Sequence, residues 1–233
     1  MTDFATSPGI FELCWRYLVL GVLQGLTEFL PISSTAHLKV VPIVLAGWSD
    51  PGVSVTAALQ LGSIFAVVGY FRQDLLLIWK SFVFAVRHGN WRDPNAQLGI
   101  AISMGSLPII FAGIAIKFFW HGYSTSALRS IPSIAIVSIF MALLLSGAEK
   151  YGYRLKTLNG VNARDGLLVG FAQVLALIPG VSRSGISLTA AMLDGWKRTD
   201  AARFSFLLGI PAISLAGLVE LKEALGSFDL IDV

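Results

Sequence analysis

The chain has 233 residues, 55% of them hydrophobic and only 13% charged, and its mean hydropathy is +0.73. Soluble domains carry about 25% charged residues, so the composition argues against a water-soluble globule and for an all-α polytopic membrane protein. The excess of 17 Lys and Arg over 14 Asp and Glu is small and dispersed, which excludes a nucleic-acid surface and makes the basic residues topology markers.

Residues 1–16 read as an interfacial lead-in without the basic n-region and cleavage site of a signal peptide. Trp15, Arg16 and Tyr17 form a candidate headgroup anchor, and the single cysteine, Cys14, has no intrachain partner. From Tyr17 to Gly47 the chain is apolar but interrupted at Pro31 and Pro42, which predicts two half-helices in a re-entrant hairpin. A turn, Trp48 to Gly52, leads to a first full span at Ser54–Phe71, with Gln60 and Gly62 in its middle. Residues 72–97 read as a polar loop holding an interfacial amphipathic piece, LLLIWKSFVFAV. Leu98–Trp120, kinked at Pro108, and Ile131–Gly147 are the next spans, joined by a loop with His121 and Arg129. After a basic loop, Gly166–Leu193 forms a second broken segment, and Phe204–Leu221 is the last span. The expectation is one integral membrane domain over 1–233, with two hairpins and about four full spans.

The two broken segments resemble each other. Setting Gly21 on Gly170 also pairs Gln24 with Gln173, Ser33 with Ser182, Ser34 with Arg183 and Thr35 with Ser184. A nearby offset sets Leu61 and Gly62 on Leu208 and Gly209. This predicts an internal duplication, unit one over 17–150 and an incomplete unit two over 166–233. Three full spans between the hairpins make the second unit inverted, the arrangement from which many transporters build midplane sites. Residues 72–97, 148–165 and 194–203 then share one face and hold four, four and three of the 17 Lys and Arg. That face is expected to be cytoplasmic, with the first hairpin opening outward, the second inward, and their tips meeting.

The tips carry the chemistry. QGLTEFLPISSTAH, Gln24 to His37, places amides, a carboxylate, hydroxyls and an imidazole inside an apolar run, where an unpaired polar group costs several kcal/mol. Gln24 and Glu28 share a helix face, and Ser33, Ser34 and Thr35 are cap-type residues after the break at Pro31. PGVSRSGIS, Pro179 to Ser187, sets Arg183 between two serines at a helix start, a good anion site. Arg183 has a second reading, as the counter-ion of Glu28 that ties the repeats together. A metal-binding or basic carboxylate, a hydroxyl, a histidine and an arginine make a kit for phosphoryl transfer, with a divalent ion bridging Glu28 and a diphosphate. Lipid-facing walls favour a lipid diphosphate as substrate.

With both motifs in this order and spacing, the chain resembles, over essentially its whole length, the bacterial undecaprenyl-diphosphate phosphatases, also called bacitracin-resistance proteins. The resemblance implies hydrolysis of undecaprenyl diphosphate to the monophosphate carrier and inorganic phosphate, supporting cell-wall synthesis and bacitracin resistance. It implies a divalent cation, Mg or Ca, a multi-pass inner-membrane location and a site facing the periplasm. Carried over by position, it implies roles for Glu28, Ser34, His37, Ser182, Arg183 and Ser184. The full set of candidates, with the residue reading included, is Glu28, Ser34, His37 and Arg183 as catalytic, Ser33, Ser182, Arg183, Ser184 and Ser187 as phosphate-binding, and Glu28 and Gln24 as metal ligands. Gln24 stands where many relatives have a second glutamate, and Ser187 where threonine is usual. Members of the family continue for about two further spans, so C-terminal spans are expected to be missing here. The expected partners are the polyprenyl diphosphate and the bilayer, with a homodimer as a candidate assembly and no nucleic acid. The nucleophile stays open between Ser34, His37 and water, and the rival function is a transporter that flips the lipid phosphate or moves another anion.

Overall fold

The computed structural model describes residues 9–48, 51–120, 122–123 and 126–228. Residues 1–8 of the expected lead-in, Ser49 and Asp50 of the expected turn, and His121 lie outside these. The described residues form nine α-helices: α1 (Ile10–Phe29), α2 (Ser34–Ala46), α3 (Gly52–Tyr70), α4 (Arg72–His88), α5 (Pro94–Phe119), α6 (Ile131–Tyr151), α7 (Ala163–Gln173), α8 (Arg183–Leu193) and α9 (Arg198–Phe228). Among the described residues, four stretches are each long and apolar enough to cross a membrane: α1, α5, α6 and residues 198–219 of α9.

The identity of those four differs from the sequence expectation in two places. Helix α1 starts at Ile10 rather than Tyr17, because Ile10, Phe11 and Leu13 extend the apolar run and Glu12 pairs with Arg16 one turn later. The expected span at 54–71 is long and apolar enough only together with α4, which replaces most of the expected 72–97 loop. The two helices meet at an angle of 68°. Gly69 lies two residues before the bend, and no proline marks it. Phe71 makes it: the residue is buried, and its ring packs on Tyr70 and Phe206 at centroid distances of 4.9 and 6.2 Å. Pro108 lies inside α5, which continues through it.

The core is where α5, α7, α8 and α9 pack, around Leu98, Ala101, Val169, Met192, Phe204 and Leu208. The α5–α7 crossing is backbone on backbone. A Cβ added at Gly166 would lie 2.1 Å from Ala101 O, one at Gly170 2.1 Å from Gly105 O, and one at Gly105 2.5 Å from Gly166 O. Ala101 and Gly105 on one helix thus face Gly166 and Gly170 on the other, the small-xxx-small spacing that lets membrane helices approach closely.

Ion pairs collect the basic segments at one end. Arg203 pairs with Asp74, Arg198 and Arg154 with Glu149, and Lys156 with Asp165 and Asp194 at 3.1 and 2.6 Å. Apart from Lys156–Asp165, whose aspartate is buried, these pairs reach solvent, where each is worth about 0–1 kcal/mol; what they establish is that residues 72–97, 148–165 and 194–203 share one side.

Candidate functional site

Both breaks have the same local cause. Leu30 precedes Pro31 and Ile178 precedes Pro179, and a residue before proline is pushed into extended backbone; their ψ angles are 149° and 123°. Each chain then turns through a residue with positive φ, Ser33 at 62° and Gly180 at 97°. Gly180 suits this turn, and a Cβ there would also lie 2.7 Å from Ile134 O. Ser33 holds its left-handed φ without that freedom, a strain of about 1–3 kcal/mol of the kind found at functional sites. Ser33 caps α2 by accepting from Ala36 N at 3.4 Å, and Ser182 caps α8 by accepting from Gly185 N at 3.2 Å.

The two tips touch. A Cβ on Gly185 would meet Pro31 at 3.3 Å. Ser184 Oγ donates toward Leu30 O at 3.2 Å and Glu28 O at 3.4 Å, and Ser182 Oγ lies 3.1 Å from Ser184 Oγ and 3.5 Å from Leu30 O. These serines thereby bond carbonyls at the C-terminal end of α1, where Leu30 O also accepts from Ile32 N at 2.8 Å.

Glu28 is the centre, with its side chain 7% exposed. Arg183 Nη2 donates to its Oε1 at 2.9 Å, Ser34 Oγ to its Oε2 at 2.6 Å, and Gln24 Nε2 to the same Oε2 at 3.2 Å. The second guanidinium nitrogen, Arg183 Nη1, is buried and has no acceptor. It lies against the backbone of Gly209, where a Cβ would come within 1.7 Å of it. Gly209 therefore makes room for the arginine, a role that sequence reasoning did not give it despite its match to Gly62.

The remaining expected residues fall around this centre. His37 is half-buried and bonds through Nδ1 to Ser33 O at 2.9 Å; in the neutral ring this leaves Nε2 as the proton acceptor. Ser187 lies one turn deeper, bonded to Arg183 O at 2.9 Å and 3.5 Å from Gln173 Oε1. Gln24 reaches past Glu28 to Gln60 Oε1 at 3.0 Å and Ser63 Oγ at 3.2 Å. The sequence showed Gln60 only as a polar residue in mid-span and gave neither it nor Ser63 a place in the site, because nothing local tells which face of α3 meets α1. Thr35 points outward and is exposed.

Two helix N-termini, of α2 and α8, meet at this site, and their first-turn amides have no intrahelical acceptor. Together with Nη1 they gather positive charge beside a hydroxyl that already donates to a carboxylate. Such an arrangement suits an anion with several oxygens and an attacking hydroxyl. No group of three His, Cys, Asp or Glu occurs among the described residues. The donor set that does occur, one carboxylate with amide and hydroxyl oxygens, fits a hard divalent cation rather than a soft one. Gln24 Oε1, buried and without a partner, is free to serve it.

Residues 17–232 match the family described as "Bacitracin resistance protein BacA". Among similar curated proteins, the "Undecaprenyl-diphosphatase" of Synechococcus sp. (strain CC9311) is 69% identical over 218 residues, covering 94% of this chain and 77% of the relative. The protein of the same name from Parasynechococcus marenigrum (strain WH8102) is 67% identical over 97% of this chain and 79% of its own length. That of Prochlorococcus marinus (strain MIT 9313) is 64% identical over 99% and 77%.

Proposed function

Because this chain belongs to the Bacitracin resistance protein BacA family, we propose that the Glu28–Ser34–Arg183 cluster is its active site. The protein is a multi-pass membrane phosphatase that hydrolyses undecaprenyl diphosphate to undecaprenyl phosphate and inorganic phosphate. The observation that carries the site assignment is the divided arginine: Nη2 rests on Glu28 while buried Nη1 has no acceptor. A buried guanidinium donor left unpaired is costly, and a phosphate oxygen supplies what it lacks.

In this reading Arg183 and the first-turn amides of α2 and α8 bind the diphosphate. Ser34 Oγ, already donating to Glu28 Oε2 at 2.6 Å, attacks the terminal phosphorus. Its proton passes to Glu28, the bond from phosphorus to the bridging oxygen breaks, and undecaprenyl phosphate leaves. Water then releases inorganic phosphate from Ser34, with His37 Nε2 as the proton acceptor. The contact to Glu28 favours Ser34 over His37 as the nucleophile, since the imidazole bonds to its own helix. Glu28 and Gln24 are the residues that would hold Mg2+ or Ca2+, which supplies neutralisation of diphosphate charge when bound. Ser182 and Ser184 act by fastening the tips, Ser33 by holding the turn, and Ser187 by bracing Arg183 from below. The nucleophile beside its base is unneeded for flipping a lipid phosphate, and the transporter reading is not favoured.

The proposal extends to topology. The site opens to the periplasm of the inner membrane and the basic end faces the cytoplasm, in keeping with the positive-inside rule. The helix-break-helix pairs α1–α2 and α7–α8 are re-entrant hairpins of an inverted repeat, a reading supported by caps at matching positions, Ser33 and Ser182, each followed directly by its helix. The test is release of inorganic phosphate from undecaprenyl diphosphate by the purified chain in detergent, with and without chelator. Metal-dependent release that Arg183→Ala abolishes is expected; undiminished release by Arg183→Ala would sink the site assignment.

A further inference from the structure

Helix α3 brings two side chains to the site that the reaction above leaves without a task. Gln60 Oε1, Ser63 Oγ and Glu28 Oε2 lie 3.0, 3.2 and 3.2 Å from one atom, Gln24 Nε2. An amide nitrogen carries two protons, so three oxygens compete for them. At the other end of the same amide, Gln24 Oε1 is buried without any partner, in a residue only 2% exposed. Buried polar groups are normally satisfied, and here both ends of one side chain are mismatched. The nitrogen is crowded with acceptors and the oxygen has no donor.

A hard cation would account for the crowded end. Turned over about its last torsion, the amide would place Oε1 where Nε2 now stands, facing a carboxylate oxygen, a second amide oxygen and a hydroxyl. Oxygens gather in this way around a divalent ion and repel one another without it. Arg183 engages Glu28 Oε1, while Oε2 accepts from Ser34 at 2.6 Å and faces Gln24 on this side of the site. We propose that Gln60 and Ser63 complete a hard-cation site with Glu28 and Gln24, closed when the Gln24 amide rotates to present Oε1 to the ion. The proposal deepens the phosphatase reading for the ion's purpose, while binding itself is independent of substrate. One carboxylate among neutral oxygens makes a weak site, in the range of about 10⁻⁴–10⁻³ M. It prefers Ca2+, which accepts amide and hydroxyl oxygens in flexible geometry, over Mg2+, which demands an octahedron and keeps its waters.

The experiment is a calorimetric titration of the chelator-stripped, full 233-residue chain in detergent with CaCl2, and separately with MgCl2. One saturable Ca2+ site is expected in the wild type, and Gln60→Leu and Ser63→Ala should each weaken it about tenfold or more. Gln60→Glu keeps the oxygen and should bind at least as tightly, which separates ligation from folding. Gln24→Glu fixes an oxygen at the turning position, adds a charge, and should tighten binding about tenfold. Absence of saturable binding in the wild type, affinities of Gln60→Leu and Ser63→Ala unchanged within about twofold, weaker binding by Gln60→Glu, or weaker binding by Gln24→Glu would each overturn the proposal. Phosphate release measured on the same samples keeps the two readings apart. Activity with a Ca2+ affinity indifferent to Gln60 and Ser63 sinks the cation site alone, and Ca2+ binding that tracks the variants without any phosphate release sinks the phosphatase reading alone.

Discussion

One substitution made twice in the same helix tests the α5–α7 crossing. Gly113 and Gly105 both lie within α5, but a Cβ at Gly113 meets nothing within 4 Å, whereas at Gly105 it would lie 2.5 Å from Gly166 O, 2.9 Å from Leu208 Cδ1 and 3.0 Å from Gly166 C. Ordinary contact begins near 3.4 Å, so Gly105→Ala forces backbone apart by roughly 0.9 Å against a neighbour that cannot rotate away. Over-packing of this kind costs about 1–3 kcal/mol, while replacing a helical glycine by alanine gains up to about 1 kcal/mol. Gly113→Ala shows only the gain, and Gly105→Ala shows the difference, a net loss of up to about 2 kcal/mol. At about 2–4 °C per kcal/mol for a chain of this size, the two variants should shift Tm in opposite directions. Thermal unfolding in mild detergent, followed by tryptophan fluorescence, measures both. A Gly105→Ala protein as stable as Gly113→Ala would refute close backbone contact as the basis of the crossing.

Other outcomes follow from the site and the basic end. Ser34→Ala should lower phosphate release by about 100-fold or more and His37→Ala by clearly less; the reverse order in steady-state assays would move the nucleophile to the imidazole. Gly209→Ala, whose Cβ would lie 1.7 Å from Arg183 Nη1, should lower kcat/KM by about tenfold or more, the usual scale for displacing a transition-state contact; circular dichroism would show the helices retained, and full activity would contradict the packing. For Lys156, burial lowers the pKa, but hydrogen bonds to Asp194 and Asp165 and their charges raise it more, so it lies above 10.5 in the folded protein. A group raised on folding stabilises below its unfolded value and loses that effect as pH rises through the folded one. The Tm difference between wild type and Lys156→Met should therefore be flat at neutral pH and shrink only above about 10.5; shrinkage nearer neutrality would assign the effect to another group.

The breaks at Pro31 and Pro179 were legible in the sequence because proline acts on its immediate neighbour, and the residues after them fell at cap positions for the same local reason. Glu28, Ser34 and Arg183 could be gathered in advance because a membrane makes isolated polar groups conspicuous. The bend at Phe71 was not legible. It depends on Phe206, over a hundred residues away, and Gly69 just before it is no stronger a signal than the other glycines inside helices. The α5–α7 crossing was not legible either, since Gly166, Gly170, Ala101 and Gly105 look like ordinary small residues until the two helices cross. Gln60 was visible as a polar residue in mid-span, but its hydrogen bond to Gln24 depends on how α3 is rotated against α1, which apolar periodicity leaves undetermined in a helix apolar on every side.

The carboxylate on Arg183 also bears on turnover. Glu28 occupies, on the arginine, a place that a phosphate oxygen would contest, and it is attached to the same fold, so its local concentration stays high whatever is dissolved outside. An incoming diphosphate seated on Nη1 competes for Nη2 as well, with the help of a long lipid anchored in the bilayer, while Glu28 Oε2 stays on Ser34. Inorganic phosphate, once cut loose, has no such anchorage. The carboxylate returns to the arginine behind it, and expulsion becomes effectively one-way. Free phosphate should consequently be a poor inhibitor of the enzyme, even at concentrations far above those of its lipid substrate.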